Sequence, residues 1–443
     1  MMSVQWTAEQ VLALAPDAAS AKNGRGLASR RKWVSLGSGP SIVWGECQGS
    51  GKDPYRTQID LREPAFRCSC PSRKFPCKHG LGLFLILVES PTEFVETDPP
   101  TWVTDWLATR SQKVEKQAEK QAKQQQQAAD PEAQAKRSLA RQQKVSAGVQ
   151  ELRRWLEDRI RQGLATVPQE SYQFWDNVAA RMVDAQAPGL ARHLRDCAGI
   201  IHSGTGWSDR LLARMGGIYL LTEGFHHLES LPPSVQADVR TQIGWTMNQD
   251  EVLKEPAQAD LWLVVGQQTE VEERLKVRRT WLYGLGKANF ALLLEFAHGK
   301  QPFEYSLFPG TCLEAELVFY PSAYPLRALI KNRQEAVLLK QNPPGMNIHQ
   351  AIGTYHQGFA QCPWLEQFPM LLQAVVPFQE QGIGFIRDEQ GMLIPLSPHL
   401  DAKQVWQLLA LSGGYPLTLF GEWNGSSLVP LQVWVEEECY GLG

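Results

Sequence analysis

Three cysteines and a histidine lie within twelve residues of this 443-residue chain. They are Cys68, Cys70, Cys77 and His79, in the run Arg-Cys-Ser-Cys-Pro-Ser-Arg-Lys-Phe-Pro-Cys-Lys-His. The whole chain has only 8 cysteines, so general composition does not explain this density. The cluster therefore constrains the local fold more than any other feature of the sequence.

The spacing within the cluster suits a metal ion. Two cysteines separated by one residue on a strand project their sulfurs to the same side. A six-residue loop, restricted by a proline at each end, leads to Cys77 and His79 where an apolar segment begins. Three thiolates and one imidazole fill all four positions of a tetrahedral Zn²⁺ site and leave none for water or substrate. The pattern predicts one structural zinc ion.

Two other interpretations of the cluster are disulfide or redox use, and three buried free thiols beside a core histidine. Polar and basic residues interleave with the thiols, which fits poorly with buried free thiols and a core histidine. The basic residues Arg67, Arg73, Lys74 and Lys78 favour thiolate forms and offset the net charge of −1 on Zn²⁺ with three thiolates.

Length and composition predict a globular protein of two or three domains. A hydrophobic fraction of 43% and 15 tryptophans are enough to form buried cores. The first ten residues lack the pattern of a secretory signal, and the apolar run 81–88 is too short to cross a membrane. The other five cysteines are dispersed, so we expect reduced thiols in a cytoplasmic protein without membrane contact.

The formal net charge of −3 is distributed unevenly. Residues 1–110 carry +2 (13 Lys and Arg, 11 Asp and Glu), and 111–145 carry +4 (8 and 4). The remainder carries −9 (23 and 32). Uniform binding of a polyanion along the whole chain is therefore not expected.

We predict an N-terminal domain over 1–110 that contains the finger at about 54–90. Strands should precede the cysteine cluster, and a buried helix should follow the cluster over 80–88. A short helix should follow the prolines at 99 and 100. The other predicted elements are helices over 8–14 and 18–29, strands over 33–36, 42–48 and 55–61, and glycine-rich turns at 37–39 and 49–52.

The rest of the chain divides by composition and periodicity. Residues 111–145 are rich in Gln and Lys with few large apolar residues, so we predict a linker; a coiled coil is the alternative, but no sustained heptad supports it. Apolar residues at three- and four-residue spacing predict a helical domain over 146–255. Alternating apolar and polar residues predict strands in an α+β domain over 256–443. Helices are predicted near 348–376 and 400–411, and a hairpin at Asn424-Gly425. The overall fold class is α+β and multidomain.

Cys-x-Cys, six residues, and Cys-x-His, preceded by strands and followed by an apolar helix, resemble the SWIM zinc finger. Cys68, Cys70, Cys77 and His79 match its four ligand positions one for one. The resemblance covers about 54–90 and implies a DNA- or protein-interaction unit. The layout of the chain is similar to bacterial SWIM proteins, which implies a MoxR-type AAA+ ATPase or a von Willebrand A-domain protein as partner.

Three functions remain open at this point. The first is a non-enzymatic adaptor that docks a protein partner, which the acidic remainder and the large helical and α+β regions favour. The alternative is DNA or RNA binding through the basic finger, by Arg67, Arg73, Lys74 and Lys78 with Phe75 available for stacking. An enzyme housed in the C-terminal region is the third, although no catalytic motif supports it, so we expect no enzymatic activity.

Overall fold

The computed structural model describes residues 6, 8–15, 18–49, 53–61, 65–72, 74, 76–109, 131–245, 247–272, 275–298, 301, 303–334, 336–338 and 342–442. The chain forms two compact units, Met1–Pro131 and Glu132–Gly443. The architecture is α+β, as predicted, with a strand and helix region around the cysteine cluster, a helical middle and a β-rich C-terminal region.

The first unit is a five-stranded sheet with helices on both faces. The strand order is β4-β3-β2-β1-β5, antiparallel except for the pairing of β1 with β5. Its elements are α1 (Ala8–Ala13), α2 (Ala18–Arg25), β1 (Trp33–Gly39), β2 (Ile42–Cys47), β3 (Tyr55–Asp60), β4 (Ala65–Cys68), α3 (Lys78–Glu89), β5 (Val95–Glu96) and α4 (101–109). The order matches the predicted strands, the apolar helix and the helix after the two prolines.

The apolar helix α3 forms the centre of the first core. Every residue from His79 to Leu87 in this helix is buried. Phe84 contacts Phe66 of β4 edge-on, with ring centroids 5.9 Å apart. On the opposite face of the sheet, Trp44 and Val103 belong to a second, smaller apolar cluster that includes α4. The sheet is therefore covered on both sides, which fixes the positions of β3 and β4 near the cysteines.

The predicted turn at 37–39 was wrong, because these residues complete β1. Gly37 pairs with Trp44 of β2. A Cβ atom built on Gly37 would lie 2.5 Å from the Trp44 ring, so the glycine is needed for close packing under an indole rather than for a turn. The predicted turn at 49–52 falls partly outside the described residues.

The second unit begins with a helical bundle. Its helices are α5 (Pro131–Gln162), α6 (Tyr172–Asp184), α7 (Pro188–Ile201), α8 (Trp207–His226), α9 (Pro233–Ile243) and the short α10 (Gln249–Val252). Helix α5 begins within the segment 111–145 that we assigned to a linker, and Val145 and Val149 are already buried in the bundle core. Residues 110–130 lie outside the described residues, and the domain boundaries given above stay a prediction.

Two sheets of six strands each follow the bundle. The first has the order β10-β9-β6-β7-β8, with β11 paired to β9, and the second has the order β14-β13-β12-β15-β16-β17. Two successive chain segments build the second sheet, and each segment is a helix followed by three consecutive strands. The elements are β6 (Gln258–Glu272), β7 (Leu275–Gly284), β8 (Phe290–His298), β9 (Thr311–Phe319), β10 (Ala328–Arg333), β11 (Val337–Leu338), α11 (Ile348–Gln361), β12 (Phe368–Glu380), β13 (Ile383–Arg387), β14 (Leu393–Pro395), α12 (Ala402–Ser412), β15 (Leu417–Trp423), β16 (Leu428–Val435) and β17 (Glu438–Gly441).

The two sheets pack face to face through a shared apolar core. Val265 and Trp281 of the first sheet and Phe420 and Trp434 of the second are all buried in this core. Successive residues on a strand point to opposite faces. Accordingly, Trp262 and Val264 belong to a separate cluster on the other face of the first sheet. The other face of the second sheet packs against α11 and α12.

The prediction of a helix near 348–376 was right only for its first half. Helix α11 ends at Gln361, and 368–376 lie in β12, a central strand of the second sheet. The run 371–376 is apolar except for Gln373 and ends in two valines, a composition that does not distinguish a strand from a helix. The helix predicted at 400–411 and the hairpin at Asn424-Gly425 are confirmed, the latter with Gly425 at φ +94°.

Within the described part of the chain, no helix combines the length and the apolar character that a membrane crossing needs.

Candidate metal centre

The pairing of β3 with β4 places the first two cysteines. Cys68 ends β4 directly opposite Thr57 of β3. Beyond the strand, the backbone N–H of Ser69 donates to the carbonyl oxygen of Arg56 at 2.9 Å, and the Arg56 N–H donates to Ser69 Oγ at 2.9 Å. The first bond extends the ladder by one residue beyond Cys68 and the second ties the Ser69 side chain to β3, so the chain is held to the sheet up to the residue before Cys70.

The start of α3 supplies the other two ligands. Cys77 is the N-cap of α3, with extended backbone angles (φ −77°, ψ 166°), and His79 lies in the first turn. Both are buried. The unpaired N–H groups at a helix N-terminus favour negative charge nearby, which suits a thiolate at Cys77. The site is thus the junction between the end of a strand and the beginning of a helix.

The four side chains converge. Their ligand atoms all lie within 4.8 Å of one another. Nδ1 of His79 is 3.7 Å from the sulfur of Cys68 and 3.9 Å from that of Cys77. Zn–S bonds of about 2.3 Å and Zn–N bonds of about 2.0–2.1 Å, at tetrahedral angles, imply N···S separations of roughly 3.6 Å. The arrangement fits one zinc ion held by four protein ligands.

The thiols also interact electrostatically. A hydrogen bond from Cys68 lowers the pKa of the Cys77 thiol. The same contact raises the pKa of Cys68, and burial raises that of Cys70. The sulfurs of Cys68 and Cys77 are therefore close enough to share a proton. A cation bound between the sulfurs would displace that proton and stabilise the thiolate forms. Cys47, which is also buried in this unit, has its pKa raised by burial to about 11 and stays a core thiol.

Three of the basic residues predicted to surround the site, Arg67, Lys74 and Lys78, are among the described residues. Lys74 and Lys78 are exposed, in the loop before α3 and at its first residue. Arg67 is exposed next to Cys68 on β4, and alternation along the strand directs it to the opposite face of the sheet. Arg73 and Phe75 lie outside the described residues. A contact surface formed by these five residues therefore stays a prediction.

A second cluster, which sequence analysis missed, lies in the second unit. His193 and Asp196 of α7 meet Glu366, which follows α11, with ligand atoms within 4.8 Å. Two arginines occupy the same space: Arg192 lies 2.6 Å and Arg214 2.9 Å from the Glu366 carboxylate. Two guanidinium groups satisfy the carboxylates and repel a cation, so this is an ion-pair network rather than a metal site.

The network joins the bundle to the C-terminal part of the same unit. Close to Glu366 in sequence, Trp364 packs against the bundle core, and its indole N–H donates to the carbonyl oxygen of Gly217 in α8 at 3.2 Å. Arg192 and Glu366 are 174 positions apart. No local pattern in the sequence could have indicated this contact.

Comparisons with known proteins agree with the site. Residues 55–87 match the family described as SWIM zinc finger, and residues 140–243 match the SWIM-associated four-helix bundle domain, which spans the part of the structure from α5 to α9. No curated protein and no solved structure matches the chain. The chain therefore contains a SWIM zinc finger, with Cys68, Cys70, Cys77 and His79 positioned to bind one zinc ion, followed by a SWIM-associated four-helix bundle domain.

Proposed function

We propose that this protein is a non-enzymatic adaptor whose zinc finger docks a protein partner. The observation that carries the proposal is the closed ligand set. Three sulfurs and one imidazole nitrogen occupy every tetrahedral position, so the ion has no position for a substrate or for an activated water. The ion instead fixes the shape of the segment between Cys70 and Cys77. In this segment Pro71, Ser72 and Lys74 are exposed.

The acidity of the second unit supports a protein rather than a polyanion as the main ligand. A region with a net negative charge disfavours nucleic acid, whereas it leaves protein contacts open. A MoxR-type ATPase or a von Willebrand A-domain protein, the partner class that the resemblance implies, is the first candidate to examine. The dispersed free cysteines, four of them buried outside the finger, support a reducing compartment such as the cytoplasm.

Affinity purification of the full chain tests the adaptor. We expect the wild-type protein to recover a stoichiometric partner that Cys77→Ser loses, because Ser cannot replace a zinc-bound thiolate. Cys439→Ser, a change outside the site, is the matched control and should keep the partner. Lys74→Glu should reduce recovery while zinc content stays at one ion per chain. Recovery that Cys77→Ser leaves unchanged would contradict docking through the finger.

Nucleic-acid binding is the second candidate, and the exposed Lys74 and Lys78 beside the site favour it. If the two lysines contact two phosphates, the logarithm of the binding constant should fall with the logarithm of the salt concentration with a slope of about −1.8, because each neutralised phosphate contributes about −0.9. The double variant Lys74→Ala/Lys78→Ala should therefore weaken binding of DNA or RNA by the full chain and flatten that slope. Lys287→Ala, an exposed lysine of the second unit, is the control. Absence of binding at low salt eliminates this candidate.

A further inference from the structure

Thr57 occupies an unusual position for a polar residue. It lies in β3, its side chain is fully buried at 0% exposure, and the register of β3 and β4 sets it directly opposite Cys68. A buried hydroxyl without a hydrogen bond costs roughly 1–3 kcal/mol. The environment of Thr57 must therefore supply a partner for its hydroxyl.

That partner is the sulfur of Cys68. The Thr57 Oγ1 to Cys68 Sγ distance is 3.2 Å. Either atom could donate when Cys68 is a thiol. When Cys68 binds zinc it is a thiolate without a proton, so only the hydroxyl can donate. The direction of the hydrogen bond is thus fixed by the metal-bound state of the site.

We propose that Thr57 is a positioning residue of the zinc site, whose hydroxyl donates to the Cys68 thiolate and thereby strengthens zinc binding. The hydrogen bond holds the Cys68 side chain in the rotamer that faces Cys77 and His79. It also withdraws electron density from one sulfur of a site that carries a net charge of −1. Groups that hydrogen bond to a metal ligand affect metal affinity by about 10–100-fold.

Three variants of the full chain separate the hydroxyl from the shape of the side chain. Thr57→Val removes the hydroxyl and keeps a β-branched side chain of the same shape. Thr57→Ser keeps the hydroxyl and removes the methyl group. Thr280→Val makes the same change at a fully buried threonine of β7, whose hydroxyl oxygen accepts a hydrogen bond from Gln267 at 2.9 Å, far in sequence from the zinc ligands.

Competition for zinc with a chromophoric chelator measures the effect. We expect Thr57→Val to raise the zinc dissociation constant by about 10-fold, with Thr57→Ser and Thr280→Val close to wild type. After exchange with Co²⁺, the sulfur-to-cobalt charge-transfer band of Thr57→Val should move to longer wavelength, because its sulfur has lost a donor.

Wild-type zinc affinity in Thr57→Val overturns the proposal, as does an equal loss in Thr57→Ser, which would assign the effect to the methyl group. If Thr57→Val does not fold, Thr57→Ser alone decides, since full affinity supports the hydroxyl and weakened affinity refutes it. These outcomes concern the zinc site only and are independent of the partner that the finger docks.

Discussion

The carboxylate of Glu366 should contribute measurably to the stability of the second unit, and replacing it by Gln tests this. Its side chain is 35% exposed and faces Arg214 (25% exposed), Arg192 (50% exposed) and the buried His193, whose Nδ1 lies 3.4 Å away. Burial alone would raise the pKa of Glu366, but the hydrogen bond from His193 and the charges of Arg192 and Arg214 outweigh it and hold that pKa well below its usual range.

The magnitude of the effect follows from the burial of each pair. Fully exposed ion pairs contribute about 0–1 kcal/mol, and removal of one partner from a fully buried pair costs about 3–5 kcal/mol. Solvent screens Glu366 in part, so we expect Glu366→Gln to lower the free energy of unfolding by about 1–3 kcal/mol at pH 7. Glu151→Gln is the matched control: it breaks a 2.9 Å pair with Arg181 in which both side chains are more than half exposed. It should cost about 0–0.5 kcal/mol.

Urea unfolding followed by tryptophan fluorescence, repeated across pH, gives the test. A carboxylate with a depressed pKa stabilises the folded state above its unfolded pKa of about 4.3, and this stabilisation is lost as the pH falls towards the folded pKa. The difference between wild type and Glu366→Gln should therefore be full at pH 7 and shrink below about pH 4. Equal effects of the two substitutions, or a difference that grows in acid, would refute the reasoning.

Three further predictions concern the sheet geometry and the metal. Gly37→Ala should destabilise the first unit by about 1–3 kcal/mol in denaturant unfolding, because its Cβ would overlap Trp44, whereas Gly26→Ala, with its nearest atom at 3.5 Å, should be nearly neutral. Ala374→Gly should raise the free energy of unfolding of the second unit by about 0.5–1 kcal/mol, since Ala374 has φ +52° at a bulge in β12; a decrease would exclude backbone strain there. Elemental analysis should find one zinc ion per chain and less in Cys77→Ser; a metal-free wild-type protein would contradict the site.

The zinc site was predictable because its information is local. Four ligands within twelve residues specify the donor set without knowledge of the fold. The hairpin at Asn424-Gly425 was predictable for the same reason, since a glycine with positive φ is a local requirement of the turn. Helices of the bundle followed from apolar periodicity, which reports one buried face.

The wrong and missing sequence predictions have one physical cause, because each depends on contacts between residues that are not neighbours in the sequence. Gly37 looked like a turn residue because sequence does not show that an indole from the next strand packs on it. The segment 368–376 looked helical because it is apolar apart from Gln373, so its sequence shows neither the helical nor the strand period. Glu366 could not be paired with its two arginines, because only the packing of the second unit brings them together.

The position of the zinc ligands indicates what the ion adds to a unit that already has a core. Helix α3 has nine consecutive buried residues, and its apolar contacts with the sheet include Phe66 and Phe84. Burial of an apolar side chain contributes about 1.5–3 kcal/mol, so several such residues provide a driving force of the same order as a structural zinc ion. The four ligands instead place the ion between the end of β4 and the start of α3, where it would join the two elements. A zinc ion held there would fix both ends of the segment between Cys70 and Cys77, which contains the exposed Lys74.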